Sequence, residues 1–275
     1  MPRFRVLLTV TTYPLPSRSY DELVCTAGIL EDGSWIRIYP VPLSFLIDLK
    51  TGQIVGSLKY TWIEIDLVKR TNDFRPESYS PKFYDFRDIE IGNRLGTEHY
   101  WQRRKDICLQ DVYTFMTDLI QDSHEPQNKS LASYRPKRII SMEWEKDERE
   151  WKDEWKALRK QGDLFAQDRN PEILIPKLPY KFFYKFEDGD GKIRRMMIED
   201  WEIGALYWNC LTRANGSEQV ALEKVKQKYE TQFVDKHDIH FFLGTTMTWH
   251  RRRGNNPFVI IGVFYPLTNP QPYLF

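Results

Sequence analysis

The sequence predicts an α+β protein: an N-terminal antiparallel β-rich, barrel-like module (residues 1–142), then a connecting Trp-striped helix and a smaller β-β-α-α-β-β module (residues 143–275). Three observations carry this reading. Apolar and polar residues alternate with period two in several short runs before residue 70, as in strands buried on one face. Further on, two adjacent helical segments are flanked by strand pairs, an order that builds an α+β layer and not a βαβ crossover. Aromatic residues reach 15% of the 275 positions, with 9 Trp, 15 Tyr and 16 Phe. These types favour strands and fill large cores.

Phe4 to Thr12 is rich in Val, Leu and Thr and reads as a strand, broken at Pro14 and Pro16 where the ring removes the backbone donor. Val24 to Leu30 and Trp35 to Tyr39 follow as a pair, joined by Glu31-Asp32-Gly33-Ser34 with its Asp-Gly hairpin signal. In the second strand Trp35, Arg37 and Tyr39 share one face, and Ile36 and Ile38 the other. Tyr60 to Val68 repeats the pattern, with Ile63, Ile65 and Leu67 opposite Trp62, Glu64 and Asp66. Residues 72–95 are polar and contain proline, which predicts loops around one short strand, Ile89 to Ile91. Helical signals run from Thr97 to Lys105 and from Leu109 to Ile120, and a strand follows at Ile139 to Trp144. Trp144, Trp151, Trp155 and Leu158 recur at helical spacing, predicting a solvated helix docked by one stripe. Strands at Tyr180 to Phe186 and Lys192 to Ile198 flank the turn Asp188-Gly189-Asp190-Gly191. Helices are predicted from Glu199 to Arg213 and from a Ser217 N-cap to Phe233, then apolar strands at Ile239 to Leu243 and Phe258 to Phe264.

Composition limits function. With 40 basic and 39 acidic residues the net charge is +1, so binding of nucleic acid must rest on local patches and not on bulk charge. A content of 41% hydrophobic and 29% charged residues excludes disorder over most of the chain. Cys25, Cys108 and Cys210 are scattered without a CxxC pair, which speaks against a disulfide framework or a cysteine-built zinc site. No apolar run reaches membrane-spanning length, and MPRFRVLLTV passes into polar sequence without a signal cleavage site. The expected setting is cytoplasmic, with no membrane. GxGxxG, P-loop, GxSxG and HExxH motifs are absent from the sequence.

The segment Trp249-His250-Arg251-Arg252-Arg253 joins two apolar strands and is expected to form a loop. Arginine forks match phosphate oxygens, and the indole offers a face on which a base can stack. Arg37 between Trp35 and Tyr39, Arg75 in the loop after the fourth strand, and Arg103 and Arg104 beside Trp101 extend this interleaving of cations and rings. A second grouping is Asp238-Ile239-His240, whose carboxylate and imidazole share one strand face. With His250 folded back across the hairpin, Asp238, His240 and His250 would suit a general acid/base pair. Asp238, His240, Asp200 and Glu202 would then suit a divalent metal, Mg or Mn. The plainer reading of Asp200 and Glu202 is helix capping.

The run YKFFYKFEDGDGKIRRMMIEDWEIGALYW, followed by DIHFFLGTTMTWH and FVIIGVFYP, resembles a group of uncharacterised bacterial proteins. TYPLPSRSYDELVCTAGI and WIRIYPVP are similar to stretches of proteins equally without an assigned role. In the first group the hairpin ahead of the DWE helix carries cysteines and a histidine in some members. Here it reads EDGDGKIRR, a departure that puts a metal knuckle at this hairpin in doubt. The resemblance spans about half the chain and implies no activity. The residues themselves point first to nucleic-acid binding (DNA or RNA) through Arg and aromatic loops, in processing or defence. A metal-dependent nuclease or other hydrolase is the rival, and a protein–protein adaptor with a protein partner the third reading.

Overall fold

Residues 3–13, 15–16, 22–42, 58–153, 176–252 and 254–268 are described by a computed structural model. The alternating N-terminal runs form β1 (Arg3–Thr11), β3 (Glu22–Leu30), β4 (Trp35–Pro42) and β5 (Thr61–Lys69), and the short segments β2 (Leu15–Pro16), β6 (Ser78–Pro81) and β7 (Glu90–Arg94) join them. Pairing runs β1-β3-β4-β6-β5 and closes through β1–β5, so five strands make a barrel, with β2 added to β3 and β7 to β5. Every contact around the ring is antiparallel except β4 with β6, which is parallel. Counted along the chain, the ring order is first, second, third, fifth, fourth. That order and that one parallel contact are the connectivity of the five-stranded OB barrel. Gly33, at φ +82, turns the β3–β4 hairpin, and the Asp32 carboxylate accepts from Ser34 N at 2.9 Å to fix it.

Val6, Leu8, Ile36, Ile38, Ile63 and Ile65 fill the barrel interior. The opposite faces of β1 and β3 are buried too: Leu7, Val10, Ala27 and Ile29 pack with Leu131, Phe242, Ile261 and Phe264 of the second sheet. This accounts for the unbroken burial of Val6 to Val10 in β1, which sits between two cores.

The second sheet has β8 (Val112–Tyr113), β9 (Leu131–Tyr134), β10 (Arg138–Lys146), β11 (Tyr180–Glu187), β12 (Ile193–Ile198), β13 (His240–Thr245) and β14 (Phe258–Phe264). Its order is β10-β11-β12-β14-β13-β9-β8. The chain therefore passes between the sheets ahead of Val112, not at residue 142. In order, the helices are α1 (Glu98–Cys108), α2 (Met116–Asp122), α3 (Trp201–Arg213), α4 (Glu218–Lys226), α5 (Phe233–Lys236) and α6 (Met247–Arg251), with a π-turn at Gln227–Gln232 joining α4 to α5. Ile203, Tyr207, Val225 and Tyr229 of the helical layer pack on Tyr184, Phe182 and Phe241 of the sheet, so much of the aromatic content is core.

Three local expectations change. Trp144 lies in β10, paired with Phe182 of β11, and does not begin a helix; Trp155 and Leu158 lie outside the described residues. The helix expected over 109–120 is split, because Val112–Tyr113 pairs with β9 before α2 begins. Ser78–Pro81, expected as loop, is the strand that closes the barrel. Among the described residues no helix is long and apolar enough to cross a membrane.

Candidate nucleic-acid interface

Loop 70–77, between β5 and β6, is shaped by an Asp-x-Arg pair. Asp73 takes Arg75 bidentately, Nε to Oδ1 at 2.9 Å and Nη2 to Oδ2 at 2.6 Å, and also accepts the Arg75 amide. Both residues are buried, so the intervening Phe74 is turned outward and is 40% exposed. Arg75 Nη1 donates to the Thr245 carbonyl at 2.7 Å, and Arg37 Nη2 reaches the same oxygen at 3.4 Å. Arg37 also donates to Ser130 Oγ at 2.7 Å, and Ser130 in turn donates its amide and hydroxyl to Glu77. Two guanidiniums and two carboxylates thus balance in a buried network that ties the barrel to the end of β13. Burial, with the charge of Arg75 beside it, lowers the Arg37 pKa from its ordinary value, yet a guanidinium stays charged.

Directly after β13, α6 presents the Trp249-Arg251-Arg252 group. Thr246 caps it, its hydroxyl accepting from Trp249 N at 3.3 Å. His250 is the inward anchor. Its Nδ1 meets the Thr245 hydroxyl at 2.9 Å, and its Nε2 donates to the Ser123 carbonyl at 2.6 Å. Desolvation lowers the His250 pKa from its ordinary value, which favours the neutral imidazole, and both ring nitrogens are engaged. Because His250 faces in, Trp249 (56% exposed), Arg251 and Arg252 face solvent. Phe74 packs edge-on against the His250 ring at 5.0 Å, Arg251 lies over Phe74 at 5.6 Å, and Arg252 over Trp249 at 5.2 Å. No carboxylate pairs with Arg251 or Arg252 among the described residues. Two exposed rings and two exposed guanidiniums thus lie as two pairs at α6, Arg251 with Phe74 of the barrel loop and Arg252 with Trp249 of its own helix.

The patch borders a cleft of about 780 Å³ between the barrel and the second sheet. Asp73 and Arg75, which flank Phe74, and Thr245, Thr246 and Met247, which lead into α6, stand in its wall. The barrel contributes Tyr39 and Arg70, whose guanidinium lies 5.3 Å from the Tyr39 ring and donates to the Tyr39 carbonyl at 3.0 Å. Phe182, Ile198 and Glu199 contribute from the sheet.

The structure separates the residues that sequence grouped together. Arg37 and Arg75 line the cleft but spend their donors on the network, so they position the walls instead of meeting phosphate as free forks. Trp35 is packed edge-on to Phe242 at 5.1 Å and is no stacking platform. Arg104 is buried, donates Nε and Nη2 to the Leu95 carbonyl, and is sandwiched by Tyr60 and Trp101. Arg103 is exposed on α1 and is not part of the cleft wall. Arg253 lies outside the described residues.

Asp238, His240 and His250 do not converge. His240 opens β13 and His250 binds its last residue, about 17 Å away along a strand of this length. Asp238 is engaged by Arg135 at 2.9 Å, and His240 Nδ1 meets the Asp238 backbone carbonyl, not its carboxylate. Burial lowers the His240 pKa. Asp200 caps α3, accepting from Glu202 N at 3.0 Å, while Lys59 joins Glu202 at 2.7 Å and Asp200 at 3.7 Å. Burial lifts the Asp200 carboxyl to about 6 against the pull of Lys59. Among the described residues no three His, Cys, Asp or Glu side chains gather as a metal set. The residues present therefore do not fit the divalent metal that Asp238, His240, Asp200 and Glu202 suggested.

The chain belongs to the family described as a domain of unknown function, DUF8757, whose model matches residues 112–275. A second domain of unknown function, DUF8758, matches residues 2–110, so the two models meet where the sheets change. No curated protein matches. Among solved structures, a tetrameric HIN2 domain aligns over 98% of this chain and 95% of its own, at 9% identity and a TM-score of 0.30. A murine DNA-binding protein bound to double-stranded DNA aligns over 100% of both chains, at 6% identity and a TM-score of 0.31.

Proposed function

We propose that the protein binds single-stranded nucleic acid, DNA or RNA, across the patch of Phe74, Trp249, Arg251 and Arg252 at the mouth of the cleft. The observation that carries the reading is that patch itself: exposed rings carrying exposed guanidiniums without carboxylate partners among the described residues. Exposed aromatic faces stack on unpaired bases with little sequence preference, and arginines beside them hold the backbone. The barrel adds support, since its connectivity is one in which the face of the second and third strands and the loop between the fourth and fifth take oligonucleotides or oligosaccharides. Here those are β3 and β4 with loop 70–77, which carries Phe74, and residues of all three line the cleft. Rigid packing beneath the patch, through His250 and Arg75, holds the rings ready. The test is oligonucleotide affinity against salt for the wild type and for Arg251→Ala/Arg252→Ala. Binding weakens with salt, and the variant binds less tightly with a shallower dependence. A salt-insensitive interaction would remove the reading.

A further inference from the structure

Glu199 stands apart from every other acid around the cleft. Asp73 is saturated by Arg75, and Asp147 is paired with Lys177 at 2.7 Å and Lys181 at 3.3 Å. Glu199 ends the β12 side of the wall, and only its backbone is engaged: its amide donates to Ile260 O at 2.7 Å and its carbonyl accepts from Tyr13 N at 3.0 Å. Its carboxyl makes no hydrogen bond or ion pair among the described residues, and burial alone raises its pKa. Glu199 is half-buried, so its carboxyl is reached by water from the cleft but by no donor of the protein among the described residues. Such a group in a cleft wall is where a ligand's donors would be received. We propose that the cleft receives one base of the bound strand and that this base is guanine, its N1–H and N2–H donating to the two oxygens of Glu199.

The choice of base follows from donor pattern. An ionised carboxylate only accepts. Guanine offers two neighbouring donors on its pairing edge, whereas adenine and cytosine place a donor beside an acceptor, and uracil sets one donor between two acceptors. Size agrees, since small-ligand sites span about 300–1,000 Å³ and the cleft measures about 780 Å³. Tyr39, Tyr180 and Phe182 supply aromatic wall, and Thr245 to Met247 connect it to the phosphate-holding patch.

This inference rests on the nucleic-acid reading, and the experiment separates the two. Short uridine oligomers carrying one central guanosine, inosine, adenosine or uridine are titrated by fluorescence anisotropy against wild-type protein, Glu199→Gln and Arg251→Ala/Arg252→Ala. The expected result is a preference for guanosine over uridine of roughly ten- to hundredfold, the worth of one bidentate contact. Inosine, which lacks the 2-amino group, loses most of that preference on unaltered protein, so the outcome does not depend on a variant folding. Glu199→Gln abolishes the preference, bringing the guanosine and uridine oligomers to equal affinity, and the double arginine variant weakens all four oligomers alike. Equal affinities for the four oligomers, or a preference that survives Glu199→Gln, overturn the guanine site and leave the patch intact. Failure of every oligomer to bind overturns both.

Discussion

Replacing Gly204 by alanine puts a methyl group into the joint that docks the barrel onto the second module. A Cβ built there lies 2.3 and 2.5 Å from two ring carbons of Tyr13, and 3.1 Å from Leu178 Cδ1. Tyr13 leaves the barrel to reach α3. Its ring stacks on Trp201 at 5.6 Å, its hydroxyl donates to the Pro176 carbonyl at 2.7 Å, and it accepts from Trp208 Nε1 at 2.9 Å. Expelling the ring removes two hydrogen bonds, about 0.5–1.5 kcal/mol each, and a ring stack of about 0.5–1.5 kcal/mol. Alanine offsets this by about 1 kcal/mol through its better helix propensity. The net is a destabilisation of about 2 kcal/mol, or a fall in Tm of roughly 4–8 °C for a chain of this size. Differential scanning calorimetry on wild type, Gly204→Ala, Tyr13→Ala and the double variant provides the assay. In the Tyr13→Ala background the same glycine replacement becomes neutral or stabilising, because the clash is gone. A Gly204→Ala protein as stable as wild type, or an equal loss in both backgrounds, would refute the argument that Tyr13 in this groove holds the modules together.

Two further outcomes follow from the buried groups under the patch. The His250 pKa lies below its ordinary 6.5, so the unfolded chain takes up a proton that the folded one resists. The stability this group gives is present above that value and is lost as pH falls through it, and urea midpoints drop on mild acidification in wild type but less in His250→Gln. The pKa of Asp73 is held well below its ordinary 3.8 by Arg75, despite burial acting the other way. Its contribution is therefore full above that value and lost as pH falls further. Asp73→Asn leaves Arg75 buried without its partner and costs about 3 kcal/mol at neutral pH, read by the same urea titrations.

Much of the architecture was legible because strand periodicity is local. β1, β3, β4, β5 and the strand pair β13–β14 all fall where alternating or apolar runs predict, and Asp32-Gly33 marks its hairpin. The barrel's closure was not legible: Ser78–Pro81 carries no strand pattern and is held by parallel pairing to Arg37 and Ile38, far away in sequence. Arg37 shows the same limit at the level of the site. Opposite Ile36 and Ile38 it reads as a solvent-facing cation, because one strand's pattern cannot reveal that a second sheet covers its other face. The Trp249–Arg252 segment was legible in chemistry though not in shape, being a short capped helix in place of a loop. Phe74 became prominent only through the burial of its two neighbours. Glu199 opens a predicted helix in the sequence, and that its carboxyl meets no donor among the described residues is a property of the folded wall alone.

The salt dependence of single-strand binding tests the central claim most directly. Each phosphate neutralised on a single strand contributes about 0.7 to the slope of log affinity against log salt. Removing Arg251 and Arg252 together is predicted to flatten that slope by about 1.4 and to weaken binding at low salt, with the melting curve unchanged since both side chains are exposed. A slope and affinity equal to those of the wild type would contradict the account and place any nucleic-acid contact elsewhere on the molecule.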